Sequence, residues 1–127
     1  MKSIQMKTVL SKILIVDDHA EARQMIRFFL GDLPFDFEEC ADGADALDCY
    51  EAFQPDWVLM DWKMKRMNGL AATRQITTAY PQAKIIIVTD YNDDDLRRAA
   101  FKAGAFGYVL KENLFDVSEL LQANPNH

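Results

Sequence analysis

The sequence is poor in cysteine and contains no long hydrophobic run. Its only cysteines, Cys40 and Cys49, lack CxxC spacing, so we expect buried thiols in a reducing compartment, without a disulfide or a metal site. No apolar stretch approaches the roughly 20 residues that span a bilayer, and residues 1–11 lack the apolar core of a signal peptide. These absences predict a cytoplasmic protein without a membrane segment.

Positive charge is also scarce. The 14 lysines and arginines are outnumbered by 20 acidic residues, which gives a formal net charge of -6. A surface of this sign repels nucleic acid and anionic lipid, so neither is expected as a direct ligand. With 127 residues, half of them hydrophobic, the chain suits one compact domain.

The sequence does contain a regular alternation of apolar runs and helical stripes. The predicted strands are short, mostly apolar segments, and they are 12–16, 35–41, 56–61, 85–89 and 106–110. A stripe of apolar residues at helical spacing follows each strand. The first four predicted helices end at glycine or proline, at Gly31, Pro55, Pro81 and Gly104. Alternating strands and helices predict an α/β fold with parallel strands and helices on both faces of the sheet.

The acidic run Asp93-Asp94-Asp95 lies where the fourth helix begins. Negative charge at this end of a helix is favoured by the helix dipole and by side-chain capping. We therefore interpret the run as an N-terminal cap, in preference to a metal site.

Five polar residues lie at the carboxyl ends of four of the predicted strands, and they are Asp17, Asp18, Asp61, Thr89 and Lys111. In an open α/β sheet, ligands bind at the carboxyl ends of the strands. Carboxylates this close repel one another unless a cation or raised pKa values relieve the repulsion. An oxygen-only ligand set favours Mg²⁺, and the lysine and threonine suit phosphoryl oxygens. Each acid taken alone is equally well explained as a cap, but the set favours a site in which Asp61 is a nucleophile.

With these residues at these positions, the sequence resembles the receiver domain of two-component response regulators. The matching positions are Asp17-Asp18, Asp61, Met67-Asn68-Gly69, Thr89, Tyr108 and Lys111. The resemblance covers residues 12–123 and leaves 1–11 as a flexible leader and 124–127 as a tail. It implies a flavodoxin-like (βα)5 three-layer sandwich with a five-stranded parallel sheet in the order 2-1-3-4-5.

The resemblance also implies a role for each site residue. Asp61 would accept a phosphoryl group from a sensor histidine kinase. Asp18 would bind Mg²⁺ directly and Asp17 mainly through water, with Asp61 and the backbone carbonyl of Lys63 completing the metal site.

The implied switch involves three further residues. Thr89 would hydrogen-bond the phosphoryl group, Lys111 would pair with it, and Tyr108 would rotate inward as Thr89 moves. This movement would alter the face formed by helix 4, strand 5 and helix 5, which would control an effector domain or output protein and is a candidate homodimer interface. Such a protein is not an enzyme in the usual sense, because it catalyses at most its own phosphorylation and dephosphorylation.

Three departures from the family pattern bear on function. Lys65 stands where most receivers have a proline, and Lys111 precedes Glu112 where many have a cis-proline, so a trans bond is expected here. The Lys-Glu pair is familiar in receivers joined to helix-turn-helix DNA-binding domains, which suggests transcription regulation. Asp90 replaces a small residue. It would crowd the site, repel phosphate, or pair with Lys63 or Lys65, and we expect slower phosphorylation than in a typical member.

Two other functions compete with this interpretation. A phosphorylation-independent receiver fold, acting as a constitutive protein-interaction module, is favoured by Asp90 and by the missing proline. A phosphate-transferring hydrolase would need a second acid after the nucleophile, but Asp61 is followed by Trp62 and Lys63. No DNA-binding domain is expected within these residues, and both a stand-alone receiver and an excised module fit the sequence.

Overall fold

Five parallel strands joined by helices form one sheet in the computed structural model, which describes residues 11–31 and 34–123. The strands are β1 Ser11–Val16, β2 Phe35–Cys40, β3 Trp57–Met60, β4 Ile85–Thr89 and β5 Gly107–Leu110. The helices are α1 Ala20–Leu30, α2 Ala46–Phe53, α3 Gly69–Ala79, α4 Asp94–Lys102 and α5 Phe115–Ala123. The strand order is β2-β1-β3-β4-β5, which confirms the predicted flavodoxin-like topology.

Each face of the sheet carries its own apolar core. On one face, α1 and α5 cover the strand residues Ile13, Ile15, Leu59, Ile86 and Val88. On the other face, α2, α3 and α4 cover Leu14, Val16, Val58, Met60, Ile85 and Ile87. Side chains alternate between the faces along each strand, and both faces are covered, so the central strand β3 and most of β1 and β4 are apolar on both faces, whereas the edge strand β2 carries Asp36, Glu38 and Glu39.

The strand bounds differ slightly from the predicted ones. β1 begins at Ser11, which pairs opposite Phe35 and so belongs to the strand and not to the predicted leader. Four residues that the sequence pattern assigns to strands lie just outside the observed strands, namely Ala41, Asp56, Asp61 and Phe106. Asp61 nevertheless continues the sheet hydrogen bonding, because its N–H donates to the carbonyl of Val16 at 2.8 Å. Residues 1–10 of the leader and the tail at 124–127 lie outside the described residues.

Two local features confirm smaller predictions. The Asp93 side chain caps α4, accepting hydrogen bonds from the N–H groups of Asp95 at 2.8 Å and Leu96 at 3.1 Å. The bond between Lys111 and Glu112 is trans, as expected. Two short 3-10 turns, Gly43–Asp45 and Lys111–Asn113, precede α2 and α5 and were not predicted.

None of the helices in residues 11–31 and 34–123 combines the length and apolar character that crossing a membrane requires. Cys40 and Cys49 are free thiols; Cys40 is buried as expected, whereas Cys49 is half-buried. Burial of Cys49, together with the nearby Cys40 thiol, raises the pKa of Cys49 to about 12.

Candidate functional site

One ammonium group bridges two buried carboxylates where the strands end. Asp17 follows β1 and Asp61 follows β3, its neighbour in the sheet, while Lys111 follows β5. Lys111 Nζ lies 2.9 Å from Asp17 Oδ2 and 3.4 Å from Asp61 Oδ1. The long lysine side chain therefore reaches from the edge strand β5 across to β1, and it joins three of the five residues that the sequence singled out.

Asp18 and His19 extend this cluster. Ligand atoms of Asp17, Asp18, His19 and Asp61 all lie within 4.8 Å of one another. The N–H of His19 donates to Asp17 Oδ1 at 2.9 Å and fixes that carboxylate. Asp18 Oδ1 is buried beside His19 Nδ1 at 3.0 Å, and among the described residues no backbone N–H donates a hydrogen bond to it. Three carboxylates with so few donors fit a hard divalent cation such as Mg²⁺.

The electrostatics of the cluster reflect this shortage of positive charge. Burial and the charge of Asp17 raise the pKa of Asp61 to about 6, against the lowering influence of Lys111. Burial acts to lower the pKa of Lys111, but its hydrogen bond with Asp17 and its attraction to both carboxylates outweigh burial and raise it. Lys111 is therefore held charged between acids that it only partly neutralises.

A cavity of about 760 Å³ opens beside Asp61. Its apolar lining comes from α1 and from the segment before α5, with Ala22, Met25, Ile26 and Leu114. Its charged lining includes Asp18, Asp61, Lys63, Lys65, Asp90 and Lys111. The cavity gives a bulky charged group a path from solvent to Asp61.

The predicted ion pairs of Asp90 are not formed. Asp90 is exposed, and within residues 11–31 and 34–123 no ion pair joins it to Lys63 or Lys65. Lys63 Nζ lies instead 5.8 Å from the ring centroids of Trp62 and Tyr91, which pack edge to face. Within the part of the chain that the structure describes, Asp90 therefore adds negative charge to the cavity without a basic partner.

Thr89 and Tyr108 both form hydrogen bonds with the backbone of Tyr91. Thr89 is buried at the end of β4, and its Oγ1 accepts a hydrogen bond from the N–H of Tyr91 at 3.2 Å. The buried Tyr108 donates its hydroxyl proton to the carbonyl of Tyr91 at 2.6 Å, and the Arg97 guanidinium lies 4.5 Å from its ring centroid. Neither Thr89 nor Tyr108 lines the cavity, and the Tyr108 side chain is buried in this structure.

Comparison with known families matches residues 13–124 to the response regulator receiver domain. The chain belongs to the response regulator receiver domain family. Over 115 residues it is 36% identical to the transcriptional regulatory protein DegU of Brevibacillus brevis, covering 88% of this chain and 48% of that protein. The receiver domain thus spans about half the length of this relative.

Solved structures of similar proteins agree with this assignment. A LuxR-family response regulator from Aurantimonas sp. SI85-9A1 has a TM-score of 0.84 and 30% identity, covering 91% of this chain and 84% of the other. A LuxR-family DNA-binding response regulator from Staphylococcus aureus has a TM-score of 0.82 and 26% identity, covering 90% and 98%. These relatives are consistent with the resemblance to receivers of DNA-binding regulators, which the Lys111-Glu112 pair indicates.

Two residues of this receiver domain were not identified as functional from the sequence. Tyr91 joins Thr89 to Tyr108 through its own backbone, which no side-chain pattern reveals. Asp42 begins an Asp-Gly turn in the sequence, and its buried carboxylate accepts a hydrogen bond from the N–H of Ala44 and others from the segment after Asp61. The turn is a recognisable signal, but the distant contacts are not.

Proposed function

We propose that this receiver domain accepts a phosphoryl group on Asp61 from the phosphohistidine of a sensor histidine kinase. The observation that carries the proposal is the placement of Asp61, buried between Asp17 and Lys111 at the edge of an open cavity. A kinase, an effector domain and a second receiver are the proposed partners, and the cytoplasm is the proposed location.

The transfer requires one bond to form and one to break. A carboxylate oxygen of Asp61 attacks phosphorus, the phosphorus–nitrogen bond of the donor breaks, and the imidazole retains its electron pair. Lys111 turns from Asp61 toward the phosphoryl oxygens, and the Thr89 hydroxyl donates to one of them. Placed here, Mg²⁺ would supply positive charge that offsets the phosphoryl oxygens.

The metal would be held by this chain's own oxygen donors. Asp18 and Asp61 would bind it directly, Asp17 through water, and the Lys63 backbone carbonyl would complete the protein ligands. The clustering of the three carboxylates supports this assignment.

The shared contacts of Tyr91 support a switch in this domain. When the Thr89 hydroxyl turns to a phosphoryl oxygen, it gives up the hydrogen bond from the Tyr91 N–H. Tyr108 still holds the carbonyl of Tyr91, so the segment before α4 shifts with Tyr108. The face formed by α4, β5 and α5 changes as a result and alters binding of the output partner or of a second copy.

Labelling with acetyl phosphate and Mg²⁺ tests the proposal. We expect one phosphoryl group per wild-type molecule, and none in Asp61→Ala or when EDTA removes the metal. Asp48→Asn, which changes an exposed carboxylate on α2, serves as the control and should label normally. A wild-type protein that stays unlabelled would instead favour the phosphorylation-independent interaction module.

Asp90 is proposed to slow this reaction. Its carboxylate lines the cavity and forms no ion pair within residues 11–31 and 34–123, so it repels an incoming phosphoryl donor. We expect Asp90→Ala to be labelled several-fold faster than wild type, because the substitution removes one repulsive contact between like charges. Equal initial rates for the two proteins would show that Asp90 does not limit phosphorylation.

A further inference from the structure

The Asp42 carboxylate holds two consecutive N–H groups of a distant loop. Asp42 follows β2, and the loop joins β3 to α3 at residues 61–68, called here the acceptor loop. Asp42 Oδ2 accepts from Arg66 N–H at 3.0 Å, and Oδ1 accepts from Met67 N–H at 3.1 Å. The carboxylate is buried, so these bonds are shielded from water.

Gly43 provides a second, independent contact with the same loop. A Cβ atom at Gly43 would lie 2.4 Å from the Met67 carbonyl oxygen and 3.2 Å from that of Asn68. The acceptor loop thus packs directly on the backbone at position 43. The Arg66 guanidinium also pairs with Asp45, so side chain and backbone of the loop both face the turn before α2.

The acceptor loop begins at Asp61 and folds back on it. The N–H of Gly69 donates to the carbonyl of Trp62 at 2.6 Å, and a Cβ atom at Gly69 would lie 1.9 Å from the Asp61 carbonyl oxygen. Lys63 and Lys65, on the same loop, line the cavity beside Asp61. A displacement of the loop therefore moves the groups around the acceptor carboxylate.

We propose that Asp42 and Gly43 form a cradle that positions the acceptor loop for phosphorylation of Asp61. This inference rests on the proposed function. It assigns a positioning role to Asp42, which neither lines the cavity nor belongs to the charge cluster.

A purely local role for Asp42 predicts a different outcome. Asp42 also caps the 3-10 turn before α2, where Oδ1 accepts from Ala44 N–H at 2.9 Å. Serine is a good cap but is too short to reach the acceptor loop as well. Asp42→Ser therefore keeps the cap and removes the cradle, which separates the two roles.

Amide hydrogen exchange tests the cradle without any phosphoryl donor. In Asp42→Ser, we expect the N–H groups of Arg66 and Met67 to exchange at least tenfold faster than in wild type, because they lose their acceptor. The N–H of Ala44 should stay protected. Unchanged exchange at positions 66 and 67, or equal loss at all three positions, would overturn the proposal.

Labelling with acetyl phosphate and Mg²⁺ tests the consequence for the site. We expect Asp42→Ser to label roughly tenfold more slowly, because a displaced acceptor loop misplaces reacting groups. Gly43→Ala should act in the same direction. Wild-type labelling rates in Asp42→Ser would contradict the positioning role even if its thermal stability had fallen.

A proline in the acceptor loop provides a rescue. Within the described residues the N–H of Lys65 donates no hydrogen bond, so Lys65→Pro removes none and restricts the loop by its fixed φ angle. Added to Asp42→Ser, it should restore most of the labelling rate, whereas Lys65→Ala, which removes the charged side chain without fixing φ, should not. Equal effects of the two substitutions would overturn the proposal. A wild type that never labels would overturn the proposed function, and the exchange data would then decide the cradle alone.

Discussion

Asp42 and Asp61 are the same residue type at nearly the same burial, 5% and 6% exposed, yet their environments are opposite. Burial acts to raise the pKa of Asp42, but three backbone N–H groups and the nearby Arg66 outweigh it and lower that pKa. Burial and Asp17 instead raise the pKa of Asp61 to about 6. Because the two carboxylates are almost equally buried, the difference between them comes from the hydrogen-bond donors around them. A buried carboxylate with several donors stabilises the fold, whereas one with few donors does so only when a ligand supplies positive charge.

Removing the donor-rich carboxylate should have the largest effect on stability. We expect Asp42→Ala to lower the free energy of unfolding at pH 7 by about 3 kcal/mol, because buried N–H groups lose their acceptor. The folded-state pKa of Asp42 lies below its unfolded value, so its contribution is present above about pH 4 and is lost as the pH falls through the folded-state pKa. Urea unfolding from pH 7 down to pH 3 measures both. A loss below about 1 kcal/mol at pH 7 would contradict the comparison.

A divalent cation should stabilise the cluster of Asp17, Asp18 and Asp61, because this cluster has few hydrogen-bond donors and too little positive charge. At a concentration about 100 times its dissociation constant, Mg²⁺ should raise the free energy of unfolding of wild type by about 2.7 kcal/mol. Thermal unfolding with Mg²⁺ and with EDTA measures the gain. Asp18→Asn and Asp61→Asn should lose most of it, whereas the control Asp48→Asn should keep it. An equal gain in all four proteins would place the cation elsewhere.

Neutralising Asp61 should stabilise the metal-free protein. The folded-state pKa of about 6 lies above the unfolded value, so ionised Asp61 destabilises the fold above pH 6, and this penalty disappears as the pH falls toward 4. We expect Asp61→Asn in EDTA to gain about 1–2 kcal/mol at pH 7.5 and nothing near pH 4. Urea unfolding at both pH values measures the difference, and a destabilised variant at pH 7.5 would break the contrast with Asp42.

The smallest expected effect comes from a donor-rich carboxylate at the surface. Asp93 caps α4 through two N–H groups but is exposed to water. Asp93→Ala should lower the free energy of unfolding by about 1 kcal/mol, because water replaces the lost acceptor. Urea unfolding measures this loss beside that of Asp42→Ala, and an equal loss in both variants would show that burial does not amplify the contribution of the donors.

Much of the fold was predictable because its determinants are local. Apolar runs predicted four of the five strands, turn residues on either side predicted β2, and Gly31, Pro55, Pro81 and Gly104 predicted the ends of the first four helices to within a few residues. The rule that ligands bind at the carboxyl ends of parallel strands predicts that Asp17, Asp61 and Lys111 lie close together. The contact of Lys111 with both carboxylates confirms that expectation of proximity.

The unpredicted contacts depend on distant backbone groups. The bonds from Arg66 and Met67 to Asp42 span 24 and 25 residues, and they end on N–H groups that every residue type carries. The side-chain pattern therefore does not specify them. The same holds for Tyr91, whose backbone N–H and carbonyl make the hydrogen bonds to Thr89 and Tyr108. Of the three alternatives for Asp90, only the ion pair is not found among the described residues, because Lys63 lies against aromatic rings instead.

The central claim is that Asp61, the carboxylate poor in donors, receives the phosphoryl group. Tandem mass spectrometry of protein treated with acetyl phosphate and Mg²⁺, with the acyl phosphate trapped by borohydride reduction, locates the modified residue. We predict a single modified position at Asp61, with Asp17, Asp18 and Asp42 unchanged. Modification at another residue, or none in protein that remains folded, would contradict the account.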